Sequence, residues 1–221
     1  MSYKLDLHTH STGSPDGGLR LLDYRAVLER GILDYIAITD HNSIETALEI
    51  RSSLGEHGDR IIIGEEIMTT RGEIIGLYLS QTIPAGLEPS AVVAAIRAQG
   101  GIVYIPHPFE TVRSGLTAAA LDAIAGAVDI MEVYNGRAIF QNRSTLAVAW
   151  ASAHGSAPAA SSDAHGRVGW GLTYSLISDH PTRQNLIGLL HSSSLVTRTV
   201  GAGIMYPKLN RLKKRVGHGA V

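Results

Sequence analysis

Six short apolar runs in this chain each break off into side chains that bind cations. Residues 3–7 lead into His8 and His10, 32–39 into Asp40 and His41, and 60–63 into Glu65 and Glu66. Residues 102–105 lead into His107, 128–133 into Glu132 and Asn135, and 157–161 into Asp163 and His165. Several of these runs are apolar at nearly every position, as parallel strands buried on both faces are. Between them lie helical patterns at 19–30, 43–54, 89–99, 117–125, 138–154 and 182–190, with Ser43 as an N-cap and Gly31 and Gly100-Gly101 as stops. Further strands are expected at 72–79, near 172–176 and near 194–200. Strand and helix alternate, which argues for parallel βαβ units, and about seven of them for a closed or nearly closed barrel. In such barrels the chemistry gathers at the C-terminal ends of the strands. Those ends hold five of the ten histidines. His57, His154, His180, His191 and His218 fall in helices, loops or the tail and read as surface residues.

The spacing within the first cluster is itself informative. Residues i and i+2 of a strand point to one face, so His8 and His10 leave the strand side by side, able to grip one ion. The chain has no cysteine, which removes disulfides and thiolate sites and leaves His, Asp and Glu as ligands. Such a set suits Zn, Mn or Fe(II). At 221 residues one domain is expected, residues 1–204, followed by a basic C-terminal tail, 205–221. A formal net charge of -1 gives no global field toward nucleic acid or an anionic membrane. Lys4 and Asp6 interrupt the N-terminus before any signal-like apolar run, and no stretch approaches the roughly 18 apolar residues of a membrane span. The expected compartment is cytoplasmic, with no membrane partner.

Taken together, His8-Thr9-His10-Ser11, Asp16-Gly17, Ile38-Thr39-Asp40-His41-Asn42, Gly64-Glu65-Glu66-Ile67, Pro106-His107-Pro108, Glu132-Val133-Tyr134-Asn135-Gly136 and Ser162-Asp163-Ala164-His165 resemble the PHP (polymerase and histidinol phosphatase) family, in the family's order. The resemblance implies an α/β fold, a distorted (β/α)7 TIM-like barrel, with two or three divalent metals and hydrolysis of phosphoesters. It assigns His8, His10, Glu66 and Asp163 to a first metal. Glu66 then bridges to a second metal held by His107, and Asp16, His41 and His165 hold a third. Glu66 is chosen over Glu65 because the family pattern is Gly-x-Glu and neighbouring strand residues face opposite ways. Many relatives supply another histidine to the second metal; this chain offers Glu132 or Asn135, and neither matches. Asp40 either orients a ligating imidazole or bonds backbone amides at its strand end.

Two metals side by side generate a nucleophile and relieve charge on phosphoryl oxygens. His107 and Asp163 are the candidates for moving protons, as acid and base. Arg137, Arg167 and Arg113 follow strand ends and suit bidentate phosphate contacts. Tyr134 and Trp170 are the only evident platforms for a nucleobase. The run Lys208–Arg215 reads first as a solvated helix face or frayed tail and second as a phosphate-backbone contact. The favoured function is a metal-dependent phosphatase or phosphodiesterase acting on a small phosphomonoester or nucleotide. A nuclease acting on oligonucleotides and a non-catalytic metal-binding module are the alternatives, with nucleic acid the less favoured partner.

Overall fold

The structure, a computed structural model, describes residues 2–217. His218, in the basic tail, lies outside the described residues. In chain order the strands are β1 (Tyr3–Asp6), β2 (Tyr35–His41), β3 (Ile61–Thr69), β4 (Gly72–Leu77), β5 (Ile102–Ile105), β6 (Ile130–Asn135), β7 (Ala157–Ser161), β8 (Tyr174–Ile177) and β9 (Ser194–Val196). The helices are α1 (Leu21–Glu29), α2 (Glu45–Ser53), α3 (Pro89–Ala98), α4 (Ala118–Ile124), α5 (Ser144–His154), α6 (Leu186–His191) and α7 (Tyr206–Arg215). All nine strands belong to one sheet, in the order β7-β6-β5-β4-β3-β2-β1-β8-β9.

The pairings β1–β2, β2–β3, β5–β6 and β6–β7 are parallel, as βαβ units require. β4 is the exception in the middle. It follows β3 through a tight turn at Thr70-Arg71 and runs antiparallel to both β3 and β5. Its beginning, not its end, therefore lies beside the far ends of the parallel strands. β8 and β9 add an antiparallel pair beyond β1. The ring nearly closes on itself: Thr9, just past β1, bridges in parallel to Ala164, just past β7, and the His10 amide donates to the Ala164 carbonyl at 2.8 Å. The buried Asp6 carboxylate fastens the same seam by accepting from the backbone amide and hydroxyl of Ser162.

Alternation along the strands divides the core in two. Ile36, Ile38, Ile61, Ile63, Val103, Ile105 and Met131 pack against the helices, with Tyr24, Leu28, Ile50, Ile96 and Leu121 among the helical residues they meet. Leu5, Ala37, Ile62, Ile75, Leu77, Ile102, Tyr104, Ile130 and Ala159 form the other cluster, against which Leu186 and Leu190 of α6 pack. Each fully buried Ile or Leu contributes about 1.5–3 kcal/mol. These two layers make the strand ends a rigid frame. No helix among the described residues is long and apolar enough to cross a membrane.

Several boundaries differ from the sequence reading: α2 begins at Glu45, with Ile44 rather than Ser43 at its N-cap, β3 runs on to Thr69, and α6 begins at Leu186 rather than 182. α5 starts at Ser144, not near 138, because the chain first turns at Asn135–Ala138 and the Asn142 carboxamide accepts from the Ser144 amide. β9 stops at Val196, having only the short β8 to pair with. The basic run is a helix with a solvated face, as one reading had it, but not a frayed tail. It is α7, seated on the strand-end rim, with Asn210 fully buried.

Candidate metal centre

The inward face of each parallel strand, continued past its last hydrogen bond, delivers a polar side chain to one small basin. On β2, Tyr35, Ala37, Thr39 and His41 share a face; on β3, Ile62, Gly64 and Glu66 do. Asp40 and Glu65, one residue out of phase, face away. Glu65 is buried and accepts from the Ile83 amide at 2.9 Å, with burial pushing its carboxyl up to about 7. Asp40 accepts from the backbone amides of Ser11 and Ser14 and from both serine hydroxyls. It thus holds the loop that follows His10, and reaches that imidazole only through Ser14 Oγ, 3.0 Å from His10 Nδ1. Gly17 keeps this loop tight: a Cβ there would lie 1.9 Å from the Ser11 carbonyl oxygen.

His8, His10, Asp16, Glu66, His107, Asp163 and His165 are all buried, and His41 is partly exposed. Their donor atoms fall into overlapping groups within which all ligand atoms lie within 4.8 Å of one another. Among the described residues the groups are His10, Asp16, His41 and His165; His8, His10 and Glu66; His8, His107 and Asp163; and His41, Glu66 and Glu73. Glu73 is the member that sequence reasoning missed. It sits at the start of β4, opposite Met68, two residues before the Ile75 that faces Glu66. Its carboxylate lies 3.5 Å from His41 Nδ1 and 3.7 Å from His107 Nε2. Burial, reinforced by the Glu66 charge, pushes its carboxyl up to about 9.

Glu132 and Asn135 do not face the basin. Glu132 Oε1 accepts from His8 Nδ1 at 3.1 Å and from the Tyr104 hydroxyl at 2.8 Å. Its Oε2 accepts from the His107 amide at 2.6 Å and from Asn135 Nδ2 at 2.8 Å. Asn135 Oδ1 accepts from Arg113 Nη1 at 2.7 Å and from the Arg137 amide at 2.8 Å. Both side chains are therefore spent behind the ring, orienting His8 and the His107 turn. His107 and Asp163 themselves sit at φ +28° and +53°, left-handed conformations that cost about 1–3 kcal/mol each. That strain aims two strand-end side chains inward.

The donor set fits cations. Glu132 takes the Nδ1 proton of His8. Ser14 Oγ donates to Asp40, so it takes the Nδ1 proton of His10. Both Nε2 atoms then carry lone pairs, and they face each other at 3.1 Å. Two lone pairs at that distance repel unless positive charge sits between them. Burial works against charge on His10, yet Asp163 and Glu66 hold its imidazole protonated up to about 10, so the surrounding carboxylates demand a cation. Asp16 Oδ1 is buried with no hydrogen-bond donor, 3.5 Å from both His41 Nε2 and His165 Nε2. His165 gives its Nδ1 proton to the Asp163 carbonyl, and burial drives its pKa to about 3, leaving a neutral ligand atom toward Asp16.

A cavity of about 280 Å³ opens over these groups, lined by His10, Asp16, His41, Glu66, Glu73 and Asp163 below and by Arg113, Arg137 and Arg211 above. Arg113 forks onto Glu110 and reaches Asp163 Oδ2 at 2.6 Å; Arg137 reaches the same oxygen at 3.2 Å. Although burial opposes it, these and the neighbouring imidazoles hold the Asp163 carboxyl well below the usual range. Arg137 Nε is buried without an acceptor. Arg167 does not reach the cavity: it is 68% exposed and turns to Asp23. Trp170 is buried edge-on to Tyr24, and neither it nor Tyr134 lines the cavity. His57, His154, His180 and His191 lie outside every donor group described above.

The PHP domain family model matches residues 6–213, and the chain belongs to that family. An uncharacterized protein of Methanocaldococcus jannaschii is 36% identical over 149 residues, covering 63% of this chain and 87% of its own. A second uncharacterized protein of the same organism is 33% identical over 172 residues, 73% of this chain and 65% of its own. Among solved structures, a two-domain protein of Bacteroides vulgatus, described as containing a predicted PHP-like metal-dependent phosphoesterase, superposes with a TM-score of 0.72 at 18% identity over 90% of this chain and 65% of that one. PsfC of Pseudomonas syringae superposes with a TM-score of 0.67 at 18% identity, covering 96% of this chain and 99% of that one. At these identities the structural likeness establishes the shared fold. The chain thus spans about two thirds of the Bacteroides protein and of the second archaeal relative.

Proposed function

We propose that the protein is a metal-dependent phosphoesterase that hydrolyses a small phosphorylated substrate at a centre of three divalent ions, Zn, Mn or Fe. The observation that carries this is the pairing of a cation-demanding floor with an anion-demanding roof in one cavity. His8, His10, Glu66 and Asp163 would hold the first ion. Glu66, His107 and Glu73 would hold the second, Glu73 taking the place that Glu132 and Asn135 were expected to fill. Asp16, His41 and His165 would hold the third. Ions so held supply a water nucleophile at neutral pH and relieve charge on the phosphoryl oxygens.

The chain's own residues do the rest. The unpaired Arg137 Nε, with Arg113 beside it, supplies donors for phosphoryl oxygens in a site of reduced dielectric, where they are worth most. Asp163, held ionised by two arginines, serves better as a ligand than as a base. His107, whose Nε2 faces Glu66 at 3.0 Å and Glu73 at 3.7 Å, serves better as a ligand than as an acid. Glu132 fixes the His8 tautomer that leaves Nε2 open to an ion. A cavity of about 280 Å³ favours a small phosphomonoester or nucleotide over an oligonucleotide. The test is turnover of a panel of phosphomonoesters and short oligonucleotides by protein loaded with Mn, Zn or Fe. Monoester turnover abolished by His8→Ala, with the fold intact, supports the reading. Full metal loading with no turnover of any substrate would refute it.

A further inference from the structure

Helix α7 is tied to the centre by polar contacts. Asn210 Nδ2 donates to the Asp16 carbonyl at 2.8 Å and to the His165 carbonyl at 2.9 Å, so one buried carboxamide clamps two strand-end loops. Lys214 Nζ donates to the Thr12 carbonyl at 2.9 Å and to that of Ser14. The Tyr206 ring lies so close over Gly166 that a Cβ there would come within 2.6 Å of it. Leu209 and Leu212 meanwhile remain exposed. The helix is thus placed by what it touches at the rim rather than by an apolar face.

This docking carries Arg211 to the cavity wall. Its Nη2 donates to Asp16 Oδ2 at 2.6 Å, while Oδ1 of the same carboxylate is left toward His41 and His165. Among the described residues Asp16 is the only polar partner of Arg211, so most of its donors are uncommitted. Arg113 and Arg137 are 14% exposed and tied to Asp163; Arg211 is 56% exposed. It is the outermost of three guanidinium groups around a single cavity. Val112, Arg113 and Ser114 also line the cavity, as do Pro207 and Arg211 of α7.

We infer that α7 is the substrate-selecting wall of the centre, and that Arg211 is a specificity residue favouring a terminal, dianionic phosphate monoester over a phosphodiester. A monoester phosphate carries two charges near neutrality and only one substituent, so it fits a cavity lined by three arginines and enclosed in part by α7. A diester carries one charge and needs an exit for a second substituent, along the side that α7 covers. The inference rests on the phosphoesterase reading for the reaction but not for the binding it describes.

The test uses the full chain, metal-loaded, with inorganic phosphate as the dianionic probe and dimethyl phosphate as the monoanionic one. Dissociation constants are measured by calorimetry alongside metal content. Arg211→Ala is expected to weaken phosphate about tenfold, the worth of one partly exposed charge-assisted contact, with dimethyl phosphate nearly unchanged and metal content intact. Arg211→Lys, which keeps the charge but not the fork, is expected to fall between, and gives the same reading if the alanine variant folds poorly. Arg167→Ala should match the parent. Equal weakening of both probes, an unchanged phosphate affinity, or loss of a metal ion with the arginine would overturn the inference; the last would make Arg211 a brace for Asp16. A parent protein that binds neither probe would overturn it as well. Arg211-dependent phosphate binding without turnover of any ester would instead sink the phosphoesterase reading and leave the selecting role standing.

Discussion

Replacing Glu132 by Gln removes one charge and no volume, and the cost is set by four hydrogen bonds. Each carboxylate oxygen accepts two of them: Oε1 from His8 Nδ1 and Tyr104 OH, Oε2 from the His107 amide and Asn135 Nδ2. Gln offers one acceptor and one NH2, so one pair of donors must meet an NH2 group. With the NH2 toward His8, the Tyr104 hydroxyl can turn to donate to Ser161 Oγ at 2.9 Å, but His8 must accept at Nδ1 and so carry its proton on Nε2. That tautomer cannot ligate. With the NH2 toward His107, it faces a backbone N–H at a contact of 2.6 Å that cannot reverse, and Asn135 cannot flip because Arg113 and Arg137 occupy its oxygen. The first arrangement keeps the hydrogen bonds at the expense of the ligating tautomer; the second loses about two buried hydrogen bonds, at about 1–3 kcal/mol each. For a chain of this size that loss lowers Tm by roughly 4–24 °C. Removing a group that orients a ligand costs on the order of 10–100-fold in metal affinity. Scanning fluorimetry and a metal titration on Glu132→Gln measure both. A Tm within a degree of the parent, together with unchanged metal affinity, would refute the assignment of Glu132 as the fixer of the His8 tautomer.

Glu73→Gln should lose one metal ion per chain by elemental analysis while the others remain, since Glu73 is assigned to the second ion alone, with Glu66 and with His107, whose Nε2 lies 3.7 Å from its carboxylate. Chelation should lower Tm and readdition restore it; at a free metal concentration 100 times Kd, one ion stabilises by about 2.7 kcal/mol, and a chelator-insensitive Tm would contradict the centre. Burial raises the Glu65 carboxyl to about 7, above its unfolded value, so its contribution to stability is complete below about pH 4 and lost as pH rises through 7. Glu65→Gln should therefore flatten the decline in Tm between pH 5 and 8, by at most about 3 kcal/mol; parallel curves for the two proteins would count against it.

Most of the barrel was legible because burial writes itself into the sequence. Strands buried on both faces must be apolar throughout, and their ends announce themselves where the apolar run breaks into polar residues, as at Thr39-Asp40-His41 and Ile63-Gly64-Glu65-Glu66. Alternation allowed only one of Glu65 and Glu66 to face inward, the family pattern Gly-x-Glu pointed to Glu66, and the structure puts Glu66 in the basin and Glu65 behind it. Glu73 escaped because the rule of strand ends assumes parallel strands. β4 runs antiparallel, so its first residues meet the last residues of its neighbours. The available signal was the short turn at Thr70-Arg71, which allows only a hairpin, together with the alternation Glu73, Ile75, Leu77. α7 escaped for a different reason. Its anchors, Asn210 and Lys214, bond backbone carbonyls nearly two hundred residues earlier, and no local pattern encodes such contacts. A run rich in Lys and Arg looks the same in sequence whether it faces water or a ring of carboxylates.

The proposed activity requires the ring of donors to hold cations in separate positions. Anomalous diffraction from crystals grown with Mn measures this directly. Three peaks are expected: one among His8, His10, Glu66 and Asp163, one among Glu66, Glu73 and His107, and one among Asp16, His41 and His165. A metal-saturated crystal with no peak in the basin, or with a lone peak touching none of these sets, would contradict that activity.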